Sequence, residues 1–224
     1  MLILGIDTSL KAASVCIYKD GSLLVDYILN NERTHSEKLM EMVDEALKIS
    51  KTDINDIDAF ALACGPGSFT GLRIGAATVK GLAEPFSKKV YTPSTLECLY
   101  ESVRITDELP VCVMIDAGRD ELYCAVFDKG EYVINDCCLN AEELFLKVYE
   151  KYESVLFTGD CVLKYKERIS EIIKKPHFAD NVFACGRGAG VIKAALKHEP
   201  VEPERVSPSY LKVSQAERMK NQGK

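Results

Sequence analysis

Cys64-Gly-Pro-Gly-Ser-Phe-Thr-Gly-Leu-Arg-Ile-Gly75 is the stretch that decides the fold. Before it runs Ile57–Cys64, apolar and of strand length; from it runs Gly71–Phe86, which reads as a helix. A buried strand that hands over to a helix through a Gly-rich turn is a building unit of α/β proteins. Gly65 and Gly67 permit backbone angles closed to other residues, and Pro66 fixes one dihedral. Ser68 or Thr70 supplies a cap for the new helix. Two readings stay open here. One is a sharp turn with a capped helix; the other is a set of exposed amides at a helix N-terminus, which favours an anion such as phosphate. The stretch is not a Walker motif, because no Lys-Ser/Thr follows the last glycine at the required spacing, nor is it the dinucleotide fingerprint.

Upstream, Leu2–Asp7, Ala13–Tyr18 and Leu23–Leu29 read as strands, with Asp20-Gly21 as a hairpin signal. Leu2–Asp7 is nearly continuous hydrophobe, as a central buried strand is. A helix follows from Thr34 or Ser36 to Ser50, and Lys88–Tyr91 and a helix from Ser94 complete the first half. Pro110 marks a restart. Val111–Asp116, Glu121–Asp128 and Glu131–Cys138 read as strands, Ala141–Tyr152 as a helix, Val155–Thr158 as a strand and Leu163–Lys174 as a helix. The order of three strands, helix, strand, helix thus occurs twice, without sequence identity between the halves. Two α/β lobes with mixed, helix-flanked sheets are predicted. They span 1–105, with the Gly65–Gly75 motif and the interface helices, and 106–224, whose last helix and tail are placed to pack back on the first.

Composition narrows the function. The 224 residues are 47% hydrophobic and 28% charged, with 14 Gly and 8 Pro, which excludes low-complexity and disordered classes. A net charge of -6 disfavours autonomous binding to nucleic acid. The nine cysteines are odd in number, scattered, without a CxxC pair and set mostly in apolar runs. They read as small buried hydrophobes in a reducing compartment. With no signal-peptide pattern and no apolar run near the roughly 20 residues of a membrane span, the expected location is the cytoplasm.

Gly5-Ile-Asp7-Thr8-Ser9 offers a carboxylate at a strand end followed by two hydroxyls, suited to a metal-bound phosphate or simply to an Asx or Ser/Thr turn. Asp116-Ala-Gly-Arg119-Asp120-Glu121 repeats the placement, and reads either as a site in which Arg119 pairs with Asp116, Asp120 or Glu121 or as a solvated hairpin turn. Gly186-Arg-Gly188-Ala-Gly190 opens the helix Val191–Lys197 and loosely resembles a nucleotide-contacting turn. The candidate nucleotide-binding residues are therefore Asp7, Gly65, Gly67, Ser68 and Thr70. The three histidines, His35, His177 and His198, lack helix-face ligand spacing, and the cysteines lack paired spacing, so no metal site is predicted. No Gly-x-Ser-x-Gly elbow is present, and no catalytic residue is assigned. Two helices look built for contact, inside the chain or across an interface: the apolar stripe of His35–Ser50 is wider than one core needs, and the helix from Gly71 is rich in Gly and Ala. His35, Leu39, Met42, Val43, Ala46, Leu72, Gly75, Ala76 and Val79 are the predicted partner interface.

Ile3-Leu-Gly-Ile-Asp7-Thr-Ser9, His35-Ser36-Glu37-x-Leu39 and Gly65-Pro-Gly-Ser-Phe-Thr-Gly-Leu-Arg-Ile-Gly75 resemble the TsaB family. So do Asp116-Ala-x-Arg119, Glu121-x-Tyr123 and the late Pro208-Ser-Tyr210-Leu211, in order over nearly the whole chain. Gly118 stands where basic residues are frequent, and Lys212 where an arginine often follows Tyr-Leu.

The resemblance implies the two-lobed actin-like ATPase (Hsp70/sugar kinase) fold. It implies an accessory subunit for threonylcarbamoyl transfer to the adenine N6 beside the anticodon, in tRNAs reading codons that begin with A. In that family a synthase makes threonylcarbamoyl-AMP and the metal-binding paralogue TsaD transfers the group. TsaB supports TsaD, and the ATPase TsaE joins the assembly. The paralogue's His-x-x-x-His is here His35-x-x-x-Leu39, one ligand short. Further implications are a homodimer when alone, indirect tRNA contact, no membrane, and at most weak ATP or ADP binding at the complex interface. The competing reading is a stand-alone ATPase or phosphotransferase using Asp7, the Gly65–Gly71 turn and Asp116. The tail from Arg205 to Lys224, with five Lys/Arg against one acid, either touches tRNA or TsaE or is a loosely ordered end.

Overall fold

The computed structural model describes residues 1–30, 35–104, 108–180, 182 and 184–212, with 35–37 described in backbone only. Two five-stranded sheets form its frame. The first contains β1 (Leu2–Asp7), β2 (Ala13–Lys19), β3 (Ser22–Leu29), β4 (Ala59–Leu62) and β5 (Lys89–Tyr91). The second contains β6 (Val111–Asp116), β7 (Glu121–Asp128), β8 (Glu131–Asn140), β9 (Ser154–Thr158) and β10 (Lys175–Phe178). Their orders, β3-β2-β1-β4-β5 and β8-β7-β6-β9-β10, are the same. In each, the first strand is central, antiparallel to the second and parallel to the fourth. The helices repeat too: α1 (His35–Ser50), α2 (Phe69–Ala83) and α3 (Thr95–Val103), then α4 (Ala141–Lys151), α5 (Val162–Ile172) and α6 (Gly188–Ala195).

Local chemistry explains the boundaries. Asp20 and Gly21 have φ of 46° and 92°, and Lys129 and Gly130 have 50° and 91°, the paired positive angles of a tight hairpin turn. Ser68, Ser94 and Asn140 cap α2, α3 and α4 by accepting from the amides of Gly71, Leu96 and Glu142. β4 is shorter than its apolar run: Ile57 closes a 3-10 turn, while the Ala63 and Cys64 amides donate to the Ile6 and Pro93 carbonyls. α2 ends at Ala83, where Pro85 opens a 3-10 turn over Glu84–Phe86. β10 was not expected from the sequence.

α1 and α2 cover one face of the first sheet through a core that includes Leu4, Ile6, Val15, Leu39, Met42, Phe60 and Val79. Leu39, Met42, Val43, Ala46, Leu72, Ala76 and Val79 are buried inside the chain, and Gly75 packs against Thr8. The side chain of His35 lies outside the described residues. The wide stripe of α1 is used up on β2, β3 and α2.

The other face of the first sheet receives α6: Ile3, Cys16 and Ala61 pack against Val191, Ile192 and Ala195. α3 in turn packs on β6, β7 and β9 of the second sheet, and the two helices meet. Each half's last helix therefore covers the other half's sheet. A β-carbon on Gly190 would collide with Ser102 Oγ and the Cys98 carbonyl, so only glycine allows this approach. The helices are also tied by Lys197–Glu101 at 2.6 Å and His198–Glu97 at 2.6 Å, with both glutamates buried. Among the described residues no helix is long and apolar enough to cross a membrane. All nine cysteines are free; Cys137, Cys138 and Cys185 are half-buried and the others buried.

Candidate functional site

β1 delivers Asp7 to the junction of the lobes, where its side chain is completely buried. Asp7 Oδ1 accepts from the Ser9 amide at 2.8 Å and the Ser9 hydroxyl at 2.5 Å, an Asx turn. A β-carbon on Gly186 would collide with the other carboxylate oxygen, so the chain before α6 lies directly on Asp7. Thr8 donates to the Gly71 carbonyl at 2.8 Å, and the Ser9 carbonyl accepts from the Ser68 amide at 2.7 Å. β-Carbons on Gly67 or Gly75 would collide with the Ser9 carbonyl or the Thr8 hydroxyl, respectively. Gly65, at φ +116°, donates to Thr95 Oγ1 at 3.1 Å and accepts from the Thr95 amide at 2.8 Å.

The structure thus brings Asp7, Gly65, Gly67, Ser68 and Thr70 to one place, but as a welded turn. The amides of Gly65, Ser68 and Gly71 already donate within the chain, Ser68 Oγ is the helix cap at 3.2 Å, and Thr70 is exposed. A phosphate would have to displace these bonds, and Asp7 offers no accessible face to a cation. These residues do not fit a tightly held nucleotide. The Gly186–Gly190 turn serves close packing instead: β-carbons on Gly188 would meet Cys16 and on Gly190 Cys98. The Gly188 amide donates to Asp26 Oδ1 at 3.1 Å. Burial pushes the Asp26 carboxyl up, against the opposing pull of Arg187 and the Gly188 amide.

In the second lobe Asp116 does end a central strand, as Asp7 does. It pairs with Lys164 at 2.8 Å and accepts from the Gly118 amide at 2.8 Å. Burial raises its carboxyl, but Lys164, the Gly118 amide and Lys212 together bring it below the usual range. Arg119 pairs with none of the three acids proposed for it. Asp116 takes Lys164, Asp120 takes Arg168 at 3.0 Å and Glu121 takes Lys212 at 2.6 Å. The φ of 58° at Arg119 belongs to the turn, and its side chain is exposed.

A further connection crosses this junction. The Ser209 amide donates to the Cys64 carbonyl at 2.7 Å, and Tyr210 stacks on Phe69 with centroids 4.8 Å apart. Arg73 Nε donates to the Tyr210 hydroxyl at 3.1 Å. Two residues on, Lys212 reaches the second lobe, donating to the Ala117 carbonyl at 2.9 Å. Between them Leu211 packs against the core shared by the lobes, which holds Leu10, Leu96 and Val113. The one local signal is a Tyr-Leu pair soon after Pro208 in an otherwise polar tail. Residues 213–224 lie outside the described residues, and with them most of the basic tail. Among the described residues no three His, Cys, Asp or Glu side chains gather as a metal would need.

A family model described as TsaD, tRNA N6-adenosine threonylcarbamoyltransferase, matches residues 24–219. The tRNA threonylcarbamoyladenosine biosynthesis protein TsaB of Bacillus subtilis (strain 168) is 26% identical over 222 residues, 97% of this chain and 96% of that one. The protein of the same name from Escherichia coli (strain K12) is 36% identical over 132 residues. That match spans 58% of this chain and 57% of the relative, less than two thirds of its length. Among solved structures, a Pseudomonas aeruginosa protein described as similar to peptidase YeaZ superposes with a TM-score of 0.78 at 26% identity. The superposition covers 94% of this chain and 99% of that one. The architecture is the two-lobed actin-like ATPase fold.

Proposed function

The chain belongs to the TsaD (tRNA N6-adenosine threonylcarbamoyltransferase) family, in its TsaB group, and from that premise we propose that it is an accessory, non-catalytic subunit of a threonylcarbamoyl transferase assembly. In this reading it binds and activates a TsaD-type catalytic subunit, which modifies the adenosine beside the anticodon in tRNAs reading codons that begin with A. The observation that carries it is Leu39. The resemblance sets the paralogue's His-x-x-x-His against His35-x-x-x-Leu39, and Leu39 is 1% exposed and part of the first lobe's core. A position committed to packing cannot serve as a ligand without dismantling that core. The buried, Ser9-bonded Asp7 supports the same reading.

α1 and α2 carry the contact through their outer faces, where Met40 is 52% and Ile49 60% exposed and Ala77 and Gly81 are open. This surface takes the TsaD-type subunit, or a second copy when the chain is alone. A TsaE-type ATPase joins the assembly, and ATP or ADP binds weakly at the interface of the complex. With a net charge of -6 the chain leaves most tRNA contact to its partners in the cytoplasm. Reconstitution of tRNA modification with TsaD-type and TsaE-type subunits and the synthase tests the role. Product should form only when this chain is added, and an undiminished yield without it overturns the proposal. Met40→Glu with Ala77→Arg should abolish co-purification with the TsaD-type subunit while leaving the melting temperature near that of the wild type. ATP hydrolysis by the purified chain alone, lost on Asp7→Ala, would overturn the non-catalytic part.

A further inference from the structure

Cys124 on β7 and Cys137 on β8 are direct cross-strand partners. Their sulfur atoms are 3.6 Å apart, and the Cys137 thiol also approaches the Cys124 carbonyl at 3.7 Å. Both side chains belong to the core beneath α4, Cys124 inside it and Cys137 at its margin. Directly opposed residues of antiparallel strands have Cα atoms about 4.5–5.5 Å apart, within the range of about 4.4–6.8 Å that a disulfide spans. Bond formation at about 2.05 Å therefore needs the sulfurs to close by roughly 1.5 Å, a movement that small rotations about the two Cα–Cβ bonds supply. The pair is also reachable. Cys137 lines an open groove of about 360 Å³ between β8 and α4, together with Val133, Ile134, Lys147, Glu150 and Lys151.

We propose that Cys137 and Cys124 form a peroxide-oxidisable thiol pair, with Cys137 the attacking sulfur and Cys124 the resolving one. The asymmetry follows from position. Cys137 lines the groove, where Lys147 also stands, whereas Cys124 is enclosed in the core. The Cys137 thiolate attacks one oxygen of hydrogen peroxide, breaking the O–O bond and giving a sulfenic acid and hydroxide, which takes up the Cys124 proton as water. The Cys124 sulfur then attacks the Cys137 sulfur, and hydroxide departs to be protonated to water. In all, two thiols and one peroxide give one disulfide and two waters. A dithiol reductant reverses the change.

The full-length chain, treated with stoichiometric hydrogen peroxide, then unfolded, alkylated with N-ethylmaleimide and digested with trypsin, decides the matter. Alkylatable thiols should fall from the nine present to seven and return to nine with dithiothreitol. The linked species should join the peptides 120–129 and 130–147, with fragment ions placing the bridge on Cys137 and the alkyl group on neighbouring Cys138. In Cys124→Ser, dimedone should label Cys137. A disulfide at another pair, dimedone on Cys138 or Cys185 instead, or nine thiols surviving in the peroxide-treated wild type would each overturn the proposal. The wild-type mapping stands whether or not the variant folds.

Discussion

Gly75→Ala isolates the contact that welds α2 to the β1–β2 turn. A β-carbon there would collide with Thr8 Oγ1 and lie 2.9 Å from Leu62 Cδ1. Two effects oppose each other. Alanine is the better helix former by about 1 kcal/mol. Against that gain, moving Thr8 breaks its buried bond to the Gly71 carbonyl, 2.8 Å long, and an unmade buried bond costs about 1–3 kcal/mol. Overpacking adds about 1–3 kcal/mol more. The balance is a loss of about 1–5 kcal/mol, or about 2–20 °C in Tm for a chain of this size. Thr8→Ala removes the obstructing hydroxyl, leaving only the movable end of Leu62 in the way. In that background Gly75→Ala should cost under about 1 kcal/mol. Urea unfolding of the wild type, both single variants and the double variant, compared at equal m values, gives the coupling directly. Strict additivity would refute the reasoning, because the glycine would then have no connection with Thr8.

Two further outcomes follow from other contacts. Burial, with Glu97 nearby, raises the Asp136 carboxyl even though Ser94 and Tyr132 donate to it. The native state then keeps a proton the unfolded chain has lost, so stability falls as pH rises from the unfolded value of about 4 through the raised folded one. Asp136→Asn should melt above the wild type at pH 7, with the gap closing below about pH 4, and an equal gap at both pH values would contradict this assignment. Tyr210→Ala removes the stack on Phe69 and the bond from Arg73. It should cost about 1–2 kcal/mol and speed proteolysis within residues 207–212; an unaltered cleavage rate would mean that the segment is held elsewhere.

Much of the fold could be read from local pattern. β1, β6 and β7 begin and end where their apolar runs do, and Asp20-Gly21 and Lys129-Gly130 announce their hairpins through turn chemistry. β10 escaped because Lys175-Pro-His-Phe178 is short and carries a proline, the composition of an edge strand. How the expected interface residues pack was out of reach for a different reason. Helical periodicity reveals that α1 has a broad apolar face but cannot say whether a sheet, a neighbouring helix or another protein covers it. Here β2, β3 and α2 do. The pairings of the second-lobe turn were out of reach as well, since Lys164, Arg168 and Lys212 come to Asp116, Asp120 and Glu121 from distant elements.

The exchange of last helices between the halves also imposes an order on assembly. Ile3, Cys16 and Ala61 belong to strands made early, yet Val191, Ile192 and Ala195, which cover them, come from α6 near the end of the described chain. At about 5–20 residues per second of synthesis, that apolar face stays bare on the ribosome for on the order of ten seconds. The first half cannot finish folding as it emerges. Until its own α6 arrives, the open face accepts the α6 of a neighbouring nascent chain equally well, so crowded polysomes should favour swapped dimers in which two chains trade their final helices.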